Sequence, residues 1–170
     1  ADYDACLKDR PGEGSLHESR GRALVELAVA RQKSGEDAAS DRTRAIAAFQ
    51  TAFALDGGLW HAAVNEGTQF EKLRRNAEAL AAFEKCISAF SSMPPDVRTA
   101  LDPERRNSAM AAHYNAACAV MRLGPASEAP IRDRAFALLE TAIGLGFART
   151  DWLKGDPDLV PLHSDPRWRW

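Results

Sequence analysis

Between Ala63 and Ile87 the small and aromatic residues fall where two touching helix backbones would need them. Ala63, Gly67, Phe70 and Arg74 lie in one narrow stripe at 3.6 residues per turn, and Ala79, Phe83 and Cys86 do the same one segment later. Gly67 and Ala79 let the backbones approach, while Phe70 and Phe83 fill the space above and below. The segment from Leu73 to Ala77 is short enough to force an antiparallel pair.

The same spacing recurs on both sides. Ala45, Phe49 and Ala52 repeat the second stripe, as do Ala135, Leu139 and Ala142, and Tyr114-Asn115-Ala116-Ala117 parallels Val64-Asn65-Glu66-Gly67. An earlier helical pattern has Gly21, Leu24, Leu27 and Ala28 as its apolar stripe, with Ser15 and Glu18 spaced as a capping box and Gly35 as a stop. Gly57-Gly58 ends the next helix, and Asp102-Pro103 reads as an N-cap followed by a first-turn proline.

This recurrence resembles the tetratricopeptide repeat (TPR) over about Ser15 to Phe147. The resemblance implies an all-α fold of three antiparallel helix pairs, about 15–57, 58–91 and 103–147 with a linker at 92–102, stacked as a short right-handed solenoid. Residues 1–14 become a leading segment, in which Tyr3 to Leu7 could be a remnant helix ended by Pro11-Gly12. In such an array no pair buries its apolar face without its neighbours. Helix content well above the roughly one third of an average domain is expected.

The copies depart from the pattern. Gly67 and Ala79 are 12 positions apart, but Gly21 and Ala45 are 24 and Ala117 and Ala135 are 18, so about 12 and 6 extra residues are expected in the turns of the first and third pairs. Both insertions, Gly35 to Arg44 and Pro125 to Arg134, would emerge on one edge of the array. Glu66, Arg74 and Asn76 replace the family's usual apolar, glycine and aromatic residues, and the first copy has His17 or Glu18 in place of an aromatic. Met93-Pro94-Pro95 breaks the chain before the third pair.

From Gly146-Phe147 onward, short turns opened by Asp156-Pro157 and Asp165-Pro166 look like the segment that closes many bacterial tetratricopeptide arrays. The resemblance implies that residues 148–170 fold back as a C-terminal cap, with Trp152, Leu153, Leu159, Leu162 and Trp168 covering the last pair. The alternative is an aromatic ligand or nucleic-acid patch at Arg167-Trp168-Arg169-Trp170. Interleaving with Asp and Pro rather than with a basic run favours the cap.

Charge narrows the function classes. Lys+Arg 22 against Asp+Glu 24 leaves a formal net charge of −2, which gives no global basic field for nucleic acid or an anionic membrane. No apolar run approaches the roughly 18 residues that span a bilayer, so no membrane insertion is expected. Ala1-Asp2-Tyr3-Asp4 lacks the features of a signal peptide. A cytoplasmic protein is the expectation, with a processed periplasmic protein or one domain of a longer polypeptide as alternatives. Cys6, Cys86 and Cys118 have no paired spacing, and His17, His61, His113 and His163 form no ligand motif, so no metal or cofactor is expected.

The resemblance places function in a concave groove lined by the first helix of each pair. The residues it would present are Arg22 from the first pair, His61, Asn65, Thr68 and Lys72 from the second, and Asn115, Cys118 and Arg122 from the third. A side-chain amide can bond both the N–H and the C=O of an extended peptide, which suits Asn65 and Asn115. Arg22, Lys72 and Arg122 make an extended acidic segment the expected ligand. The reading is a non-enzymatic scaffold that binds another protein, in an oligomeric state the sequence leaves open. The alternatives are a regulatory module of a larger kinase or protease and, behind that, a thiol enzyme using Cys118 and His113. Those two side chains point to different faces of one helix, which argues against the last.

Overall fold

The computed structural model describes residues 2–148 and 150–169. Ala1, Arg149 and Trp170, the last of them part of the aromatic patch considered above, lie outside the described residues. Of the described residues 74% are helical and none is in a strand. In chain order the helices are α1 (Tyr3–Asp9), α2 (Gly14–Lys33), α3 (Ala39–Leu55), α4 (Trp60–Lys72), α5 (Asn76–Ser91), α6 (Pro95–Thr99), α7 (Pro103–Leu123), α8 (Ala129–Gly144) and α9 (Thr150–Gly155), followed by a 3-10 turn at Val160–Leu162. None of the described helices is long and apolar enough to cross a membrane. Two compact units, Ala1–Lys85 and Cys86–Trp170, divide the chain within α5.

In the first unit α2 packs on α3, and α3 on α4. Its core joins Leu24, Ala45, Phe49, Ala52 and Ala62, with Val25, Phe53 and Leu59 packed against them. The glycine slots take a ring rather than a facing backbone: a Cβ on Gly21 would lie 2.6 Å from Phe49 Cε1, and one on Gly67 would lie 2.4 Å from Phe83 Cε1. Each glycine is therefore the seat of a phenylalanine ring from the partner helix. Buried polar groups also join the helices. Arg42 donates to Gln32 and Gln69 at 2.7 Å each. Glu66 accepts from Lys85 at 2.7 Å and from Gln50 at 2.9 Å.

The extra residues of the first and third pairs do not sit in their turns. α2 runs on to Lys33 and α3 begins at Ala39; likewise α7 runs to Leu123 and α8 begins at Ala129. Most of the added length is helix, which the run Ala28 to Lys33 favours because it is rich in Ala, Arg, Gln and Lys. The Ser15–Glu18 capping box is also absent. α2 starts two residues earlier, with Glu13 rather than Ser15 at the N-cap, Ser15 Oγ donates to Glu13 at 3.0 Å, and Glu18 is buried. Two expected signals hold: Asp102 accepts from Arg105 N at 2.9 Å with Pro103 in the first turn, and Gly35 ends α2 at φ +77°.

Arg74 lies past the end of α4, exposed, rather than on its packing stripe. Its φ of 58° is left-handed. Arg74 N donates to Glu71 O and Arg75 N to Phe70 O, both at 2.9 Å, a helix termination that usually uses glycine. Holding an L-residue there costs about 1–2 kcal/mol, part of which glycine returns through its greater freedom in the unfolded chain. Arg74→Gly is accordingly expected to stabilise the protein by about 1 kcal/mol in urea unfolding. A loss of stability would show that Arg74 makes compensating contacts through its side chain.

In the second unit α7 packs on α8. Ala117 and Leu139, at the positions matching Gly67 and Phe83, are both fully buried. The C-terminal segment supplies three more fully buried side chains, Leu153, Leu159 and Leu162. Arg167 lies over the Phe136 ring at 4.3 Å and bonds Asp133 at 2.7 Å and Asp165 at 2.9 Å. This arginine is thus turned onto α8 rather than outward. The side-chain and backbone hydrogen bonds from Arg167 hold the Asp165 carboxyl well below the usual carboxylate range. Trp168 packs against His163 with ring centroids 4.2 Å apart and planes tilted by 38°, whereas Trp152, expected to be part of the cover, is 53% exposed.

Candidate binding cleft

The expected groove residues have different surroundings. In the first unit Arg22 and His61 meet at one carboxylate: His61 Nε2 lies 2.5 Å and Arg22 Nε 3.7 Å from Glu18 Oε1. Glu18 Oε1 is buried and has no well-directed hydrogen bond among the described residues. Thr68 Oγ1 donates to its own helix at Val64 O, 3.0 Å away, Asn65 is half-buried and Lys72 is exposed.

In the second unit the chain's own C-terminal segment meets two of the three expected residues. Arg122 Nε binds Asp158 Oδ2 at 2.8 Å, and Cys118 Sγ lies 3.6 Å from Asp156 Oδ2. Tyr114 donates its hydroxyl to the same Asp156 oxygen at 2.5 Å, and Asp158 N donates to Asp156 Oδ1 at 2.9 Å. Arg122 therefore already holds an acidic segment, and it belongs to this chain. Burial, then the hydrogen bond to Asp156, push the Tyr114 hydroxyl far up from its ordinary value. Burial, then the charges of Asp156 and Asp158, push the Cys118 thiol up as well. Cys118, Asp156 and Asp158 offer ligand atoms within 4.8 Å of one another. Tyr114 and Arg122 already engage the two carboxylates, so the group acts as a clasp between α7 and the C-terminal segment.

Asn115, the third expected residue, lines a cleft of about 450 Å³. Met110, Ala111, Tyr114 and Asn115 come from one face of α7, spaced i, i+1, i+4 and i+5, and Gly146, Phe147, Ala148 and Trp152 complete the walls. Tyr114 and Phe147 stack at 4.5 Å with their planes 15° apart. Gly146, at φ +110°, makes that stack possible: it ends α8 in the left-handed conformation and lets Phe147 N bond back to Ala142 O at 3.0 Å. The half-exposed Trp152 forms the outer rim of the cleft.

A second hollow of about 320 Å³ shares Tyr114 and Trp152 with the first and adds Asp151 and Asp156. The cleft thus offers an apolar floor, one amide and an acidic flank. It suits an extended chain that buries one large apolar side chain while Asn115 bonds the backbone beside it. Of these residues only Asn115 follows from the groove reading; Tyr114, Phe147 and Trp152 carry sequence signals of packing. Compared with family models, with curated proteins and with solved structures, the chain matches none of them.

Proposed function

We propose that this chain is a non-catalytic, tetratricopeptide-like scaffold that binds another protein by taking an extended segment of it against the first helices of its hairpins. The cleft beside Asn115 carries this reading, because it combines exposed aromatic surface with a free-standing amide on a rigid helix. The recurrent glycine and phenylalanine pairs of the first unit support the repeat architecture. Arg122 is bound to Asp158, so an acidic ligand is no longer the favoured chemistry at this end of the chain. An apolar anchor takes its place.

Catalysis finds little support at Cys118 and His113. The thiol is held protonated by burial and nearby carboxylates. Burial also lowers His113 from its ordinary value, and its Nδ1 engages Ala109 O at 2.7 Å. A nucleophile and base need mutual reach and matched proton affinities.

Selection of displayed random peptides against the full chain tests the proposal. Peptides sharing one large apolar residue are expected, and Ala111→Trp, which fills the half-open cleft, should weaken them about tenfold or more at unchanged melting temperature. Asn115→Ala should weaken the same peptides without altering the preferred apolar residue. Enriched peptides that bind Ala111→Trp as tightly as the unaltered chain, or no enrichment at all, would overturn this assignment of the site.

A further inference from the structure

A separate cavity of about 430 Å³ in the second unit is walled by Phe90, Pro95, Arg98, Thr99, Arg106 and Leu145. Among the described residues two guanidinium groups and no carboxylate line it. Both cations are held in place: Arg98 lies over the Phe90 ring at 5.6 Å, and Arg106 donates to Thr99 O at 3.2 Å. Neither has a carboxylate partner among the described residues. The nearby Asp102 instead caps α7 and lies 3.9 Å from Arg105 Nε. Two like charges sharing one cavity repel, and an oxyanion between them would convert that repulsion into two charge-assisted contacts. Phe90, Pro95 and Leu145 would give the body that carries the charge an apolar surface to lie against.

From this geometry we infer a second binding site, independent of the cleft beside Asn115, that takes an oxyanion carried on an apolar or aromatic body. The anion is a carboxylate or a phosphate ester. Its charge meets Arg98 and Arg106 while the body lies along Phe90, Pro95 and Leu145.

The probes are phenyl phosphate and phenylacetate, with 2-phenylethanol as the uncharged control, titrated into the full chain at constant ionic strength. The arginine Nε–Hε resonances are followed by NMR. At least one anion should shift Arg98 and Arg106 saturably, the alcohol should not, and the tighter anion identifies phosphate or carboxylate as the group preferred. Arg98→Gln with Arg106→Gln should weaken binding about tenfold or more. Arg106→Gln alone, at an exposed position, should show a smaller loss if the double variant does not fold. Ala111→Trp should leave the response intact, which separates this site from the cleft. No saturable shift with either anion, an equal response to the alcohol, or undiminished binding by the arginine variants overturns the inference.

Discussion

Gly67→Ala is expected to destabilise the protein by about 2 kcal/mol, although the same change on an exposed helix face would stabilise it by about 1 kcal/mol. The sign reverses because the added Cβ would lie 2.4, 2.7 and 2.7 Å from three ring atoms of Phe83, a side chain with no exposed surface. The ring has no room to turn aside. Gly21→Ala should behave alike, since its nearest Phe49 atoms lie at 2.6, 2.8 and 2.9 Å. The third hairpin suggests the rescue: there Ala117 stands with Leu139 where the second has Gly67 with Phe83. Phe83→Leu should be destabilising alone yet recover much of the loss when combined with Gly67→Ala. Urea unfolding of both single variants and the double variant gives the coupling. Additive losses would show that glycine and phenylalanine are not a matched pair.

The stripes that carry this pairing were legible in the sequence because they are local, but which ring each glycine seats was not: Gly67 meets Phe83 rather than the backbone beside Ala79. Small residues and aromatics on two adjacent helices reveal themselves through periodicity, Gly35 and the Asp102-Pro103 start through stop and capping signals, and Gly146 through the resemblance of the closing segment. What periodicity omits is whether extra residues between two contact positions are helical. The gap from Gly21 to Ala45 gives a length, but α2 and α3 absorb it because Ala28 to Lys33 continue to favour helix. Ser15 and Glu18 had capping spacing, yet Glu18 lies buried beside His61, which is far away in sequence.

The candidate site was less legible for the same reason. Helical angle places Cys118 and Arg122 on a face, but only the returning chain shows that Asp156 and Asp158 cover it. Tyr114, Phe147 and Trp152 looked like packing residues, and two of them are: Tyr114 is nearly buried and stacks on Phe147. Trp152 faces outward because Leu153, its neighbour on α9, is the residue turned inward. One step along a short helix separates cover from rim.

Ending the chain after Ala148 is the deletion with the largest expected effect. It keeps Gly146 and Phe147, and with them the termination of α8, but removes Leu153, Leu159 and Leu162, each without exposed surface. Burying such side chains contributes about 1.5–3 kcal/mol each, so roughly 5–9 kcal/mol is at stake. That range is an upper estimate because an unfolded chain already covers some apolar surface. It still rivals the roughly 5–15 kcal/mol that holds a typical domain folded. The shortened chain should melt far lower or aggregate, with amide-exchange protection lost first in α7 and α8. Asp156→Ala separates the clasp from the leucines: it removes the acceptor of the Tyr114 hydroxyl but leaves the apolar cover, so a loss of only about 1–3 kcal/mol is expected. A chain of residues 1–148 that stays monomeric, with its melting temperature and α7 and α8 protection unchanged, would show that the C-terminal segment does not stabilise the last hairpin.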